Sequence, residues 1–338
     1  MDKLMMKREL KDAIVNMESL DNLVFPADKL PFPITDTLLN AVIWAVPDSH
    51  TELDMVDWMN SVVMQVKTHT NVDPCRKWDP CMMNQIMPGS TIRCKPDLVL
   101  VDEDFSTDNV LRGGKPNWRE FHVYTEVTCQ TTQYRLNRTT WQKSFAMFES
   151  QPTRWFIPSL MFRKDHAAFV ACNCAGGVHT NPLLLEESKR ELMQCIVGFE
   201  FGDKHLLGYD LTMKHSAGDT ISIAGEEYTV INRLFKLSAM RDHATQCWHV
   251  HGKDSVEYII KDSWIDSRQV NKFEILGELT GVENVSTLVK GWDVTLPDGK
   301  MDTTGLHQLE GHSGEQRVHQ QLLIAKAGMP LSSFCLKK

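Results

Sequence analysis

The sequence predicts an α+β chain built from two modules: an α/β domain first, then a small antiparallel sheet with one principal helix. Three observations carry this reading. Up to about residue 214, segments with helical spacing of apolar residues alternate with short apolar runs of strand length. From about Ser216 onward the pattern becomes a succession of short β segments parted by turns, interrupted by a single helical stretch. The chain has 338 residues and is 42% apolar, which is enough for two cores. The expected division is an N-terminal helix and proline-containing linker over 1–40, an α/β domain over 41–214, and the sheet module over 215–338.

The totals narrow the function classes. There are 36 basic and 44 acidic residues, and the net charge of −8 argues against an extensive nucleic-acid footprint. No apolar run reaches the length of a membrane span, and the start Met1-Asp2-Lys3-Leu4 has no apolar signal region. Nine cysteines in a chain without a secretory signal are expected to be reduced. The sequence therefore reads as intracellular, with no membrane partner.

Taken in order, Leu4, Leu10, Ile14 and Met17 have the spacing of an amphipathic first helix, and Pro26, Pro31 and Pro33 end it. A second helix is predicted over Glu52 to Lys67, burying Met55, Met59, Val62, Val63 and Val66. Lys95-Pro96-Asp97 then leads into the strand Leu98-Val99-Leu100-Val101. A polar turn with Gly113 and Gly114 precedes a second strand from Phe121 to Thr128. A further helix from Thr139 to Gln151 carries the stripe Trp141, Phe145 and Phe148. Strands over 155–162 and 167–172 follow, then a helix from Glu186 to Val197.

In the second module, Ile221-Ser222-Ile223 and Tyr228-Thr229-Val230-Ile231 flank Gly225 as a hairpin. A strand over Gln246 to Val250 and another over Glu257 to Lys261 follow, then a helix from Arg268 to Leu279. The last strands are placed at 292–295 and 320–325. Cys247, His249 and His251 alternate along one strand and so share a face, but no fourth zinc ligand is evident.

Two sets of residues carry chemistry. Pro96-Asp97 on one strand and Glu126-x-Thr128 on the next resemble the PD-(D/E)xK nuclease pattern. There two carboxylates converge on Mg²⁺ and a lysine stands two residues after the glutamate. Asp97 and Glu126 fit the carboxylate positions, but Thr128 cannot supply positive charge. The expectation is a nuclease-like fold without activity; Asp97 alone could equally serve a turn.

The second set is Lys261-Asp262-Ser263-Trp264, Thr245-x-Cys247-Trp248, Leu207-Gly208-Tyr209-Asp210 and Gln151-Pro152-Thr153-Arg154. With these separated motifs the chain, from about Lys95 onward, resembles the fungal-type protein kinase family. The resemblance implies a five-stranded kinase small lobe with one helix, ATP and Mg²⁺ as cofactors, and phosphorylation of Ser or Thr. It assigns Lys261 to the nucleotide phosphates, Glu274 to a pair with that lysine, and Thr245 to the phosphate-binding turn. The turn itself departs from the family: Met240-Arg241-Asp242-His243-Ala244-Thr245 contains no glycine, so backbone N–H groups meet side chains where phosphate oxygens would approach. The chain also stops before any His-Arg-Asp loop. The expectation is therefore a kinase-like protein without catalysis, a truncated product or a pseudokinase, and the alternatives are a non-catalytic binding scaffold or a weak Mg²⁺-dependent nuclease. Because a lone small lobe leaves apolar surface uncovered, a protein partner or self-association is expected, and nucleic acid is not.

Overall fold

The computed structural model describes residues 14–17, 25–49, 51–80, 86–105, 116–128, 133–210, 214–216, 220–223, 225–236, 244–253, 255–283, 285–296, 299–306 and 316–325. They fall into two units, the first running to Tyr209 and the second from Asp210.

The first unit is a helix–sheet–helix layering around one mixed sheet. Its strands are β1 (Ile14–Met17), β2 (Arg76–Asp79), β3 (Leu98–Asp102), β4 (Val123–Val127), β5 (Phe156–Arg163), β6 (His166–Asn173), β7 (Gly176–Thr180) and β8 (Leu183–Leu184). They lie in the order β1-β7-β6-β5-β4-β3-β2, with β8 beside β6. The β4–β5 pair is parallel, and helix α3 (Gln133–Ser150) makes the crossover between them. The predicted first helix is corrected at its described end. Ile14–Met17 is a strand, because its backbone pairs in parallel with β7, from Ile14 opposite Gly177 to Met17 opposite Thr180. Local spacing does not record a partner so far along the chain; the rest of that predicted helix lies outside the described residues.

Three helices cover one face of this sheet. The short α1 (Asp36–Ala41) precedes α2 (Glu52–Thr70), which starts at Thr51, whose hydroxyl accepts the Asp54 amide, and ends at Asn71 in the left-handed conformation. Its buried stripe is Met55, Val56, Trp58, Met59, Val62, Val63 and Val66. On the same face, α4 (Lys189–Glu200) places Phe199 against Phe25, Trp78 and Phe169 at centroid distances of 4.9, 5.9 and 6.0 Å. The opposite face packs on α3: Val99, Val101 and Tyr124 share a core with Ala146 and Met147. Tyr124 donates its hydroxyl hydrogen to the Thr140 carbonyl at 2.7 Å, tying β4 to that helix.

The second unit is a seven-stranded antiparallel sheet, two strands more than the five expected. In chain order they are β9 (Lys214–Ser216), β10 (Thr220–Ile223), β11 (Glu226–Lys236), β12 (Gln246–His251), β13 (Glu257–Asp266), β14 (Thr287–Asp293) and β15 (Arg317–Ala325). The sheet order is β14-β15-β13-β12-β11-β10-β9. The hairpin at Gly225 is confirmed by Ile223 facing Glu226 across a two-residue turn, with Gly225 at φ +79°. The helix predicted over 268–279 is shorter, α5 (Lys272–Glu278). Strand β14 begins earlier than the predicted 292–295, because Thr287 to Asp293 pair along β15 across a bulge between Leu288 and Lys290. One face of the sheet holds the core of Ile221, Ile223, Tyr228, Trp248, Val250, Ile260 and Leu323.

No helix among the described residues is long and apolar enough to cross a membrane. Cys75, Cys94, Cys172 and Cys247 are free thiols.

Candidate functional site

Lys261 sits in the middle of β13, opposite Cys247 on β12 and Leu322 on β15. Residues directly opposite in a ladder project to the same face, so Lys261, Leu322 and Gly291, which also faces Leu322, share one side of the sheet. Helix α5 lies on that side. A Cβ on Gly291 would stand 2.3 Å from the Cβ of Phe273, so the glycine is what lets the helix approach. The side chain of α5 turned inward is thus Phe273. Its neighbour Glu274, in the first turn, is exposed, and no ion pair among the described residues joins it to Lys261. Thr245 is half-buried and follows Ala244, which holds φ +44°; residues 240–243 of the predicted turn lie outside the described residues. Strand, lysine and helix therefore come together as predicted, while the lysine–glutamate pair does not.

The alternating Cys247, His249 and His251 do share a face, but His249 spends its Nε2 on Glu257 at 3.0 Å. Among the described residues no group of three or more His, Cys, Asp or Glu is arranged to hold a metal ion.

On the opposite side of the same sheet is a buried network that sequence reasoning missed. His319 on β15 is fully buried and stacks on Trp264 at 4.6 Å with the rings 4° from parallel. Its Nδ1 lies 2.8 Å from Asp302 Oδ2 and its Nε2 2.7 Å from Asp262 Oδ1; Gln321 donates to that same Asp262 oxygen at 3.0 Å. Burial opposes a charge on the ring. The carboxylates of Asp262, Asp302 and Asp210 outweigh it and hold the imidazole pKa well above its ordinary value. Asp262 and His319 are 57 positions apart, so no spacing signalled the pair.

In the first unit, the register that pairs Leu98 with Thr125 and Val99 with Tyr124 brings Asp97 and Glu126 together at the end of β3 and β4, on the α3 side. Asp97 Oδ2 accepts the Val127 amide at 2.9 Å. Glu126 is buried and forms an ion pair with Lys143 of α3, itself 5% exposed at the side chain. Burial draws the Lys143 ammonium down to about 8, against the pull of Asp97. Glu52, in the first turn of α2, is pushed above the usual carboxylate range by burial and by Asp97, and is pulled back by Lys95 and Lys143. Lys143 was also missed, although one signal pointed to it: a lysine on the helical stripe that also holds Thr140, Ser144 and Met147, all buried. Thr128, where the pattern wants the lysine, has its amide on the Phe162 carbonyl at 2.9 Å.

The two remaining motifs meet in a structural lock. Arg154, buried, donates to Gln151 Oε1 at 3.1 Å, to the His122 carbonyl at 3.0 Å and to the Phe156 carbonyl at 3.3 Å. Its guanidinium lies 4.2 Å from the centroid of the Tyr209 ring. The Tyr209 hydroxyl reaches His122 Nδ1 at 2.9 Å, and His122 Nε2 reaches Asp102 at 2.8 Å. Burial keeps that imidazole neutral, with its pKa lowered to about 4 against the pull of Asp102, so Nε2–H donates to the carboxylate and Nδ1 accepts from the phenol. Gly208 is required here, because at φ +85° its Cβ would stand 2.1 Å from the Phe156 carbonyl oxygen.

A lysine-bearing strand in an antiparallel sheet, followed by a helix on the lysine's face, is compatible with a kinase-like fold. The fungal protein kinase family matches residues 95–326, more than half of the chain, and the chain belongs to that family. No curated protein matches the chain.

Proposed function

We propose that the second unit serves as a non-catalytic, kinase-like binding module and does not hold nucleotide. The observation that carries this is the setting of α5, with Phe273 packed inward against Gly291 and Glu274 left at the surface, away from Lys261. ATP and Mg²⁺ belong to the family in general. Holding a nucleotide on a strand lysine, however, relies on the glutamate that fixes the lysine's position, and on a turn open enough for phosphates. The residues Lys261, Glu274 and Thr245 do not assemble that pair, and no phosphoryl-transfer step is derived from them. The same helix side supports binding of another protein or of a second copy: Ile275, Leu279, Val282 and Val289 are 44%, 38%, 48% and 50% exposed.

The test is a thermal-shift titration of the full chain with Mg-ATP, run beside sedimentation. A ligand at about 100 times its dissociation constant adds about 2.7 kcal/mol to folding stability, so a flat response is readable. No shift is expected, and a hydrodynamic mass above that of one chain is. A nucleotide-dependent stabilisation removed by Lys261→Ala would overturn the reading.

A further inference from the structure

The stretch between α1 and α2 of the first unit is apolar, uncharged and unpaired. From Thr37 to Pro47 there is no charged residue, in a chain where 24% of residues are charged. Val42 leaves α1 with an extended backbone at φ −95° and ψ 133°, and Ile43 to Pro47 lie in neither helix nor strand. Burial alternates along it: Val42 is buried, Ile43 exposed, Trp44 half-buried, Ala45 exposed and Val46 half-buried. That two-residue period is strand geometry without a sheet. Ile43, at 70%, is the most exposed large apolar side chain among the described residues.

The backbone of this stretch has one occupied edge and one open edge. The Ile43 amide donates to Gln65 Oε1 of α2 at 2.8 Å. In an extended chain the N–H and C=O of one residue point to one edge, and those of its neighbours to the other. Ile43 and Ala45 therefore direct theirs toward α2, and Trp44 and Val46 turn theirs outward, where neither amide has a partner among the described residues. Native proteins guard such edges with charge, proline or a bulge. Pro47 closes the end of this one, and its middle carries no charge. Backbone groups left open in this way are completed by another strand.

We infer that Val42 to Val46 pairs antiparallel with the same stretch of a second copy, making a two-fold dimer through the first unit. A two-fold contact has to be self-complementary, and this stretch is. With Trp44 on the axis the whole of it is used: Trp44 exchanges both bonds with its counterpart, and the Val46 amide donates to the Val42 carbonyl across the axis. Ile43 then lies opposite Ala45 of the other copy, large over small, in the narrow pairs of the ladder where side chains come closest. No charge is buried between the paired strands.

The full chain is studied by sedimentation equilibrium, with backbone hydrogen exchange followed at each concentration. A contact of one short strand belongs to the weak complexes below about 1,200 Å² of buried surface, so concentrations from about 1 to about 300 μM are covered. A monomer–dimer equilibrium is expected in that range, with exchange over 42–47 slowing as the dimer fills. Ala45→Glu puts a carboxylate at an exposed position facing Ile43 of the other copy, and Val46→Pro removes an amide from the open edge. Each should raise the dissociation constant at least about tenfold with circular dichroism unchanged; if the proline variant does not fold, Ala45→Glu decides alone. A monomer at every concentration, a dimer as tight in Ala45→Glu as in the parent, or exchange over 42–47 that ignores concentration would each overturn the inference. Slowing confined to 272–279 would instead place the contact on α5, so this inference and the reading of the second unit fail separately.

Discussion

Replacing His319 with glutamine tests the buried network of the second unit. In the native chain an imidazolium donates to Asp262 and Asp302 at once, 2.7 and 2.8 Å away, with no solvent contact. Glutamine cannot carry the charge and reaches at most one carboxylate well, so two buried acids lose their counter-ion. Breaking a buried pair by removing one partner costs about 3–5 kcal/mol, and that is the loss expected at pH 6.5. The pH dependence carries the sharper signature. The folded-state pKa of His319 is raised above its unfolded value. Below about pH 6.5 both states hold the proton, and the full contribution is present. Above that the folded state alone retains it, so stability falls by up to about 1.4 kcal/mol per pH unit until the folded pKa is passed. Urea unfolding of both chains at pH 6.5, 7.5 and 8.5, followed by tryptophan fluorescence, reads this directly because Trp264 lies stacked on the ring. The native chain should lose stability across that range, and the gap to His319→Gln should narrow. Equal slopes in the two chains would refute a charged His319.

Two predictions concern the lock around Tyr209. Gly208→Ala combines a left-handed backbone with a Cβ pressed on the Phe156 carbonyl; the strain alone is worth about 1–3 kcal/mol, and a larger fall in the unfolding midpoint of the first unit is expected, read by circular dichroism. Tyr209→Phe keeps the ring against Arg154 but leaves His122 Nδ1 without its donor; a loss of about 1–3 kcal/mol is expected, and an unchanged midpoint would show that water replaces the phenol.

Much of the layout was legible because it is written in local spacing. The stripe of α2 from Met55 to Val66 and the strand leading into Lys261 follow from periodicity, which local chemistry sets. What escaped depends on partners far along the chain. Ile14–Met17 has helical spacing but is claimed by β7, more than 160 positions later. Lys143 escaped notice because charged residues ordinarily mark the wet side of a helix, and it is the facing Glu126 that makes a dry lysine tolerable. The Glu274 expectation named the right helix and the wrong face, since the rotation of α5 is set by Phe273 meeting Gly291. Asp302 is brought to His319 by backbone pairing far from any local pattern, its amide bonded to the Val294 carbonyl and its own carbonyl to the His319 amide.

The position of Tyr209 has a consequence for how this gene could be cut or shuffled. The ring and the glycine before it plug back against Arg154, His122 and Phe156, residues that lie 53 to 87 positions earlier. A recombination breakpoint placed just before Leu207, which looks harmless in a linear map because a short helical turn lies there, would strip the first unit of its stopper and leave a buried arginine facing a hole. A breakpoint three residues further on, after Tyr209, would not. Fragments inherited or engineered from this family should therefore keep the Leu-Gly-Tyr triplet with the N-terminal half.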